Sequence, residues 1–272
     1  MKSQLEASRY AKQAVKSYLV QAKSAFKTES TLGIKNVYHA CIQKTGSQWI
    51  KCIFNDKDIK SITGLETYPQ FRYEWGEFVK KFPKNTFVPG LYVPYQLYKE
   101  IKKPNIYKTF YVIRDPRDVL ISWYYSIKYT HSPTGSVPRH RSELKRLDEP
   151  KGIEYSIHHL QLKFSFMRTW WENSGDENVL IVRFEELTQD PVKEFKKIFD
   201  HCGINISSRK LSTVLNKYTK EKMRKRDLRN RQGERSHYRR NKKDWREMFE
   251  DRHIDLFQNV NGDLVDRLGY KW

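Results

Sequence analysis

The run QKTGSQW, residues 43 to 49, combines a glycine, a lysine and two hydroxyl side chains in the manner of a loop that binds an anion. Gly46 lets the backbone approach a ligand closely, and a helix that begins after it directs unpaired amides toward that ligand. Lys44 adds a positive charge beside those amides. The run therefore predicts a phosphate-binding loop, although glycine turns also serve as purely structural connections between a strand and a helix.

The position of the lysine in this run argues against one class of nucleotide enzyme. Lys44 precedes the glycine, whereas the nucleoside triphosphatase pattern GxxxxGK[ST] places its lysine after the second glycine. The sequence also lacks a recognisable magnesium-binding carboxylate motif. An ATP-using, kinase-like enzyme is therefore an alternative that these residues disfavour.

A second run, VIRDPRDVLISWYYS at residues 112 to 126, places an arginine and a serine at a separation that suits phosphate binding. Arg114 offers a planar fork of donors, and Ser122 lies two helical turns farther along. The structural alternative is an ion pair between Arg114 and Asp118. The residues alone leave both interpretations open.

Both runs follow short apolar segments that predict strands. The apolar segments cover residues 37–42, 110–113 and 179–184, and each is followed by a helical pattern. After the second segment, Asp115 suits a helix N-cap and Pro116 the first helical position. Three strand-then-helix units predict an α/β fold with a mainly parallel central sheet and helices on both faces.

Three segments, in this order along the chain, resemble the signature segments of sulfotransferases that use 3′-phosphoadenosine 5′-phosphosulfate (PAPS). They are QKTGSQW, VIRDPRDVLISWYYS and HYRRNKKDWREMF, and the intervening IVRFEELTQDPVKEFKKIFDHCGI at residues 181 to 204 is also similar. The likeness covers roughly residues 35 to 250. It implies one sulfotransferase domain over residues 1–272, with a P-loop-like strand, loop and helix that bind phosphate.

The resemblance also implies roles for individual residues. The first loop would hold the 5′-phosphosulfate with Lys44, Thr45, Gly46, Ser47, Gln48 and Trp49, among which Lys44 would also touch the bridging oxygen as a catalytic group. The second segment would bind the 3′-phosphate through Arg114 and Ser122. A basic segment at residues 217–246 would close over the same phosphate with Arg239, Arg240 and Asn241.

The sequence departs from the family pattern at three places. The usual arginine-lysine-glycine of the third segment reads arginine-arginine-asparagine, and Phe184 stands where the family often has a tyrosine. The family's catalytic histidine has no counterpart in TFVPGLYVPYQLY, residues 86 to 98. We therefore name Glu66, in the loop after the first helix, as the candidate general base, with His39 as the alternative.

The composition limits the classes of ligand and the further structural features that we expect. Lysine and arginine number 52 against 32 aspartates and glutamates, so the net charge of +20 favours anionic ligands of several classes, nucleic acid included. Residues 1–30 predict an amphipathic helix, residues 131–152 predict a long loop, and no apolar run is long enough to span a membrane. Three widely spaced cysteines suggest neither disulfides nor zinc.

The sequence thus predicts a cytoplasmic enzyme that moves a sulfuryl group from PAPS to a hydroxyl or amine of a small-molecule acceptor. The product would be the bisphosphate PAP, and no metal is expected. Nucleic-acid binding and stable membrane insertion are not expected. A basic nucleic-acid-binding protein that uses residues 217–246 is the alternative from another functional class.

Overall fold

The structure is a computed structural model that describes residues 33, 36–69, 81–230, 236, 238 and 243–272. Two predictions fall on residues outside these ranges. They are the amphipathic helix within residues 1–30 and the phosphate-closing role of Arg239, Arg240 and Asn241. Both stay predictions.

The strands form one sheet in which every pairing is parallel. They are β1 (Asn36–Cys41), β2 (Glu66–Thr67), β3 (Thr86–Leu91), β4 (Tyr107–Ile113) and β5 (Val179–Arg183). Their spatial order is β2-β3-β1-β4-β5. Because all strands run in the same direction, the residues that follow β1, β3 and β4 meet at one edge of the sheet.

Helices occupy most of the remaining described chain. In order they are α1 (Ser47–Phe54), α2 (Lys57–Thr63), α3 (Tyr95–Glu100), α4 (Pro116–Tyr125), α5 (Val137–Arg146), α6 (Glu149–Glu172), α7 (Phe184–Gln189), α8 (Pro191–His201), α9 (Ser208–Asn216), α10 (Lys220–Asn230), α11 (Asp251–Asn261) and α12 (Leu264–Arg267). A π-helical turn, Ser126–Thr130, continues α4.

Helices cover both faces of the sheet, which confirms the predicted architecture. In β1, Val37 and Cys41 pack in one core layer with α1, α8 and α9, while Tyr38 and Ala40 pack in a second layer with α4, α6 and α11. Every residue of β1 is buried, as expected for a central parallel strand.

The route of the chain places a topological switch point at the carboxyl end of β1. The connection from β1 to β3 carries α1 and α2 over the first layer, and the connection from β3 to β4 carries α3 over the second. Because β3 and β4 lie on opposite sides of β1, these connections diverge there. Open α/β sheets bind ligands at such a switch point.

The predicted start of the helix after β4 is confirmed. The Asp115 carboxylate accepts a hydrogen bond from the backbone amide of Arg117 at 2.9 Å, and Pro116 is the first residue of α4. The proline supplies no amide hydrogen at a position where the helix needs none. Asp115 and Pro116 therefore fix the direction in which α4 leaves the carboxyl end of β4.

The prediction of a long loop over residues 131–152 is wrong. The structure has α5 within that range and begins α6 at Glu149. Val137 and Leu144, two helical turns apart, are buried on one side of α5, and the Asp148 carboxylate caps α6 by accepting from the Lys151 amide at 2.9 Å. Polar contacts add to this packing, since Arg141 donates to the Ile127 carbonyl at 2.8 Å and His140 hydrogen-bonds with the Tyr155 hydroxyl at 2.7 Å.

Candidate active site

The loop between β1 and α1 has the backbone of an anion-binding turn. Lys44 and Gly46 both adopt positive φ angles, 72° and 83°. Left-handed residues in such a turn curl the chain so that successive amides can face one ligand. Gly46 is also the N-cap of α1 and provides no side-chain cap, so the first amides of the helix are not satisfied in that way.

Gly46 is required by space as well as by backbone conformation. A Cβ atom at this position would lie 2.7 Å from Cε2 of the Phe184 ring, closer than side-chain carbons approach one another. Phe184 follows β5 directly, so it reaches the loop across β4. Because Gly46 has no side chain, the Phe184 ring that follows β5 packs directly against the turn.

The side chains of the predicted loop residues have different surroundings. Thr45 is buried and its hydroxyl donates to the Ile42 carbonyl at 2.8 Å, so the loop itself uses this side chain. Gln48 is exposed, whereas Trp49 is half-buried and packs edge to face on Phe195 with ring centroids 5.2 Å apart. Thr45 therefore has its backbone amide, rather than its hydroxyl, to offer a ligand.

Arg114 joins the carboxyl end of β4 to the loop. Its Nη1 donates to the Lys44 carbonyl at 2.9 Å, and its guanidinium lies 4.9 Å from the centroid of the Phe184 ring. Nη2 is 3.4 Å from the Asp118 carboxylate. The ion pair considered from the sequence therefore exists, and the same side chain also braces the loop.

These contacts do not use every hydrogen-bond donor of Arg114. The side chain is buried, and its Nε has no hydrogen-bond partner among the described residues. Ser122 follows Asp118 by four residues, so these two side chains lie on one face of α4, while Arg114 precedes the helix and pairs with Asp118. The predicted serine is thus on the same face of α4 as the carboxylate that pairs with the predicted arginine.

Glu185 is a bracing residue that the sequence analysis missed. Its carboxylate accepts from the Asp115 amide at 3.0 Å and from the Tyr270 hydroxyl at 3.0 Å. Burial raises the pKa of Tyr270, and the neighbouring Glu185 carboxylate raises it further, so the phenol stays a neutral donor. The pair ties the chain after β5 and the C-terminal segment to the start of α4.

The position of Glu66 does not support its predicted role as a base. Glu66 is in β2 rather than in a loop. It pairs with Thr86 of β3, and Thr86 in turn pairs with Asn36 at the amino end of β1. From Asn36 to Cys41 is about 17 Å of strand at about 3.3 Å per residue, and Lys44 lies beyond Cys41. Oε2 of Glu66 instead lies 3.6 Å from Nζ of Lys60. The structure therefore does not bring Glu66 and Lys44 together.

His39, the alternative base, is enclosed within the core. Its ring stacks on Phe110 with centroids 4.9 Å apart, and its Nδ1 accepts weakly from the Gly90 amide at 3.4 Å. Complete burial lowers the pKa of His39 to about 3, because the imidazolium would lose its hydration. The ring is a neutral core residue and not a candidate for proton transfer to a ligand.

Tyr92 is a further residue that the sequence analysis did not single out. It follows the carboxyl end of β3, and its hydroxyl is 2.8 Å from the hydroxyl of Ser47. The loop is therefore approached from β3 by Tyr92 and from β4 by Arg114. Tyr92 belongs to the stretch 86 to 98 that lacks the family's histidine, and the signal in the sequence is the end of a buried strand.

Within the described ranges, no group of three or more histidine, cysteine, aspartate or glutamate residues is arranged to hold a metal ion. In that same part of the chain, no helix combines the length and apolar character needed to cross a membrane.

Comparison with known proteins gives a family match over most of the chain. The family described as Sulfotransferase domain matches residues 35–269. A 3-beta-hydroxysteroid sulfotransferase of Cavia porcellus is 26% identical over 196 residues, an alignment that covers 67% of this chain and 63% of that protein. The chain therefore spans less than two thirds of the length of this curated relative.

Two solved structures share the fold. A mouse sulfotransferase, SULT7A1, complexed with PAP has a TM-score of 0.60 and 16% identity, covering 93% of this chain and 90% of that one. A retinol dehydratase in a complex with retinol and PAP has a TM-score of 0.56 and 16% identity, covering 87% and 83%. At these identities the likeness establishes the architecture, and both neighbours hold the same bisphosphate.

Proposed function

The chain belongs to the sulfotransferase family, and on that premise we propose that it transfers a sulfuryl group from PAPS to a small-molecule hydroxyl or amine and releases PAP. The observation that carries the proposal is the 2.9 Å hydrogen bond from Arg114 to the Lys44 carbonyl. It joins the two predicted phosphate-binding segments at one edge of the sheet. A nucleotide with phosphates at both its 3′ and 5′ positions suits such a paired arrangement.

The residues present fit a donor of this kind. The backbone of the loop is curled by positive φ at Lys44 and Gly46, and α1 begins without a side-chain cap. Both features leave amides for an anion. Arg114 adds a buried donor, Nε, that has no hydrogen-bond partner in the described part of the chain. Buried donors usually have a hydrogen-bond partner, and a bound anion would provide one for this atom.

Lys44 and the first amides of α1 would hold the 5′-phosphosulfate, and Arg114 with Ser122 would hold the 3′-phosphate. PAPS supplies a sulfuryl group that is activated by its link to phosphate. Lys44 and the amides would stabilise the negative charge that grows on the leaving side. The requirements resemble those of phosphoryl transfer.

The acceptor is proposed from chemistry and from the relatives' names. One relative is named for 3-beta-hydroxysteroids, and one structural neighbour holds retinol. Both are apolar alcohols. We propose an apolar alcohol as the first acceptor class to test and an alkyl amine as the second. The single domain over residues 1–272 and the cytoplasmic location stay predictions.

The experiment is a transfer assay with PAPS labelled in its sulfuryl group, using pregnenolone, retinol, 4-nitrophenol and n-octylamine as acceptors. We expect label to appear in at least one acceptor and PAP to form in equal amount. Thermal stabilisation by PAP but not by ATP serves as the acceptor-independent control. Stabilisation by ATP alone, without transfer from PAPS, would overturn the proposal.

A further inference from the structure

Tyr92 reaches the loop because β3 contains one extra residue. In the pairing of β1 with β3, Tyr38 is opposite Val88, but Ala40 is opposite Leu91, so the register shifts by one between these pairs. Gly90, which lies within the irregularity, has a φ of 63°. This is a β-bulge, and bulges near binding sites change the face to which the following side chains point.

The bulge decides which core layer Tyr92 joins. Val88 and Leu91 both pack in the layer of α4 and α6, although they are three residues apart and would lie on opposite faces of a regular strand. Tyr92 packs instead against the layer that contains α1. Without the extra residue, Tyr92 would lie on the face away from α1.

On this face the Tyr92 hydroxyl meets the first residue of α1. Its oxygen is 2.8 Å from Ser47 Oγ, and either group can donate. Ser47 stands next to Gly46 in the loop that we propose holds the phosphosulfate. The Ser47 hydroxyl thus connects the Tyr92 hydroxyl to the leaving-group side of the proposed site.

We propose that Tyr92 is the residue that takes the proton of an alcohol acceptor, and that Ser47 passes this proton on. The inference rests on the proposed function. It fills the role for which the sequence suggests Glu66 or His39, whereas the structure places Glu66 at the opposite end of the sheet and His39 inside the core.

The proposed transfer balances without another reactant. The acceptor oxygen forms a bond to sulfur while the bond from sulfur to the leaving phosphate oxygen breaks. The acceptor proton moves to Tyr92 Oη, the Tyr92 proton moves to Ser47 Oγ, and the Ser47 proton moves to the leaving phosphate. Both hydroxyl groups end neutral, so neither side chain has to ionise beforehand.

The relay predicts a loss that depends on the acidity of the acceptor. Tyr92→Phe is expected to lower kcat about 100-fold with pregnenolone, whose hydroxyl needs a proton acceptor. With 4-nitrophenol, at a pH where that phenol is already ionised, the loss should stay below about 5-fold because no proton has to be removed. A merely structural role for the hydroxyl would lower both rates alike.

Two binding measurements separate this proposal from the proposed function. Calorimetry should give Tyr92→Phe a PAP Kd within about 2-fold of wild type, since Tyr92 is not assigned to the nucleotide. The same variant should bind pregnenolone about 5-fold more weakly in the presence of PAP, the loss expected for one hydrogen bond. Failure of the wild-type chain to bind PAP would instead contradict the proposed function.

A matched control and a rescue variant complete the test. Tyr95→Phe removes a hydroxyl that donates to Asp176 at 2.7 Å and should leave turnover unchanged. Tyr92→His should recover turnover with pregnenolone to within about 10-fold of wild type, with a rate that falls as the pH drops below about 6.5, where imidazole is protonated. Equal pregnenolone turnover in Tyr92→Phe, Tyr95→Phe and wild type would overturn the assignment of Tyr92.

Discussion

The two sides of the loop after β1 are built in different ways. On the side of β4, Arg114 binds the Lys44 carbonyl, Phe184 packs against Gly46, and Glu185 bridges Asp115 and Tyr270. On the side of β3, a β-bulge turns Tyr92 toward the Ser47 hydroxyl. The first side is a braced framework suited to holding a fixed anion.

This difference suggests how the two halves of the reaction are divided. The nucleotide donor keeps the same charges and geometry whatever the acceptor is, so its side of the loop gains from rigidity. The side that meets the acceptor needs a side chain that can take the proton of the acceptor.

Lys44→Ala removes the charge that we place beside the leaving group. We expect turnover to fall by roughly 10²- to 10³-fold while the fold persists, because removing one stabilising donor from a developing negative charge costs about that much. Labelled transfer and circular dichroism measure the two effects. Lys57→Ala, which removes a lysine from the exposed start of α2, is the control and should behave as wild type.

Wild-type turnover in Lys44→Ala would remove this residue from the mechanism and leave the loop as a binding element only.

Gly46→Ala tests the packing between the loop and Phe184. We expect the free energy of unfolding to fall by about 1–3 kcal/mol, because the new methyl group meets the ring in a left-handed backbone conformation. PAP affinity should fall as well. Gly64→Ala provides the control, since Gly64 has a φ of 64° but nothing within 4 Å of its missing Cβ.

A loss in Gly64→Ala as large as that in Gly46→Ala would mean that backbone strain, and not Phe184, sets the cost. Adding Phe184→Leu to Gly46→Ala should recover part of the stability if the ring is responsible.

Arg114→Lys keeps the charge but removes the planar fork. We expect the Kd for PAP to rise about 10-fold, because a lysine cannot hold the Lys44 carbonyl, Asp118 and an anion with one ammonium group. Arg168→Lys is the matched control: Arg168 also binds a carboxylate, that of Asp263 at 2.7 Å, and a carbonyl, that of Asn261 at 2.9 Å. If both variants bind PAP as wild type does, Arg114 only braces the fold.

Glu66→Gln is expected to have almost no effect. Glu66 lies at the amino end of the sheet, and its partly exposed contact with Lys60 contributes less than about 1 kcal/mol of stability. Turnover should stay within 2-fold of wild type, on the order of the error of the transfer assay. A large loss of turnover with unchanged stability would restore Glu66 as a candidate base.

Local patterns in the sequence predict the elements on the side formed by β4, but not the contacts of Phe184 and Glu185 that brace it. The glycine and lysine after β1, and the Arg114, Asp115 and Pro116 sequence after β4, are contiguous features whose geometry follows from helix and strand ends. The parallel sheet follows from three such units. The predictions of the sheet and of the start of α4 are confirmed because they depend on neighbours in the chain.

The side formed by β3 depends on pairing between distant residues. Tyr92 faces α1 because of a register shift against β1, and a shift of one residue reverses every later side chain. The prediction for Glu66 fails for a related reason. The position of a residue after a helix does not indicate which end of the sheet that residue reaches. The sequence contains no local signal for the position of Glu66, whereas Gly90 within the strand pattern is a local signal for the bulge that turns Tyr92.

Calorimetric titration of the full chain with PAP and with PAPS tests the proposed nucleotide site directly. We expect saturable binding of one PAP per chain, weakened in Arg114→Lys and Gly46→Ala and unchanged in Glu66→Gln. Absence of saturable binding of both nucleotides to the folded wild-type chain would contradict it, because the loop after β1 and Arg114 would then not form a nucleotide site.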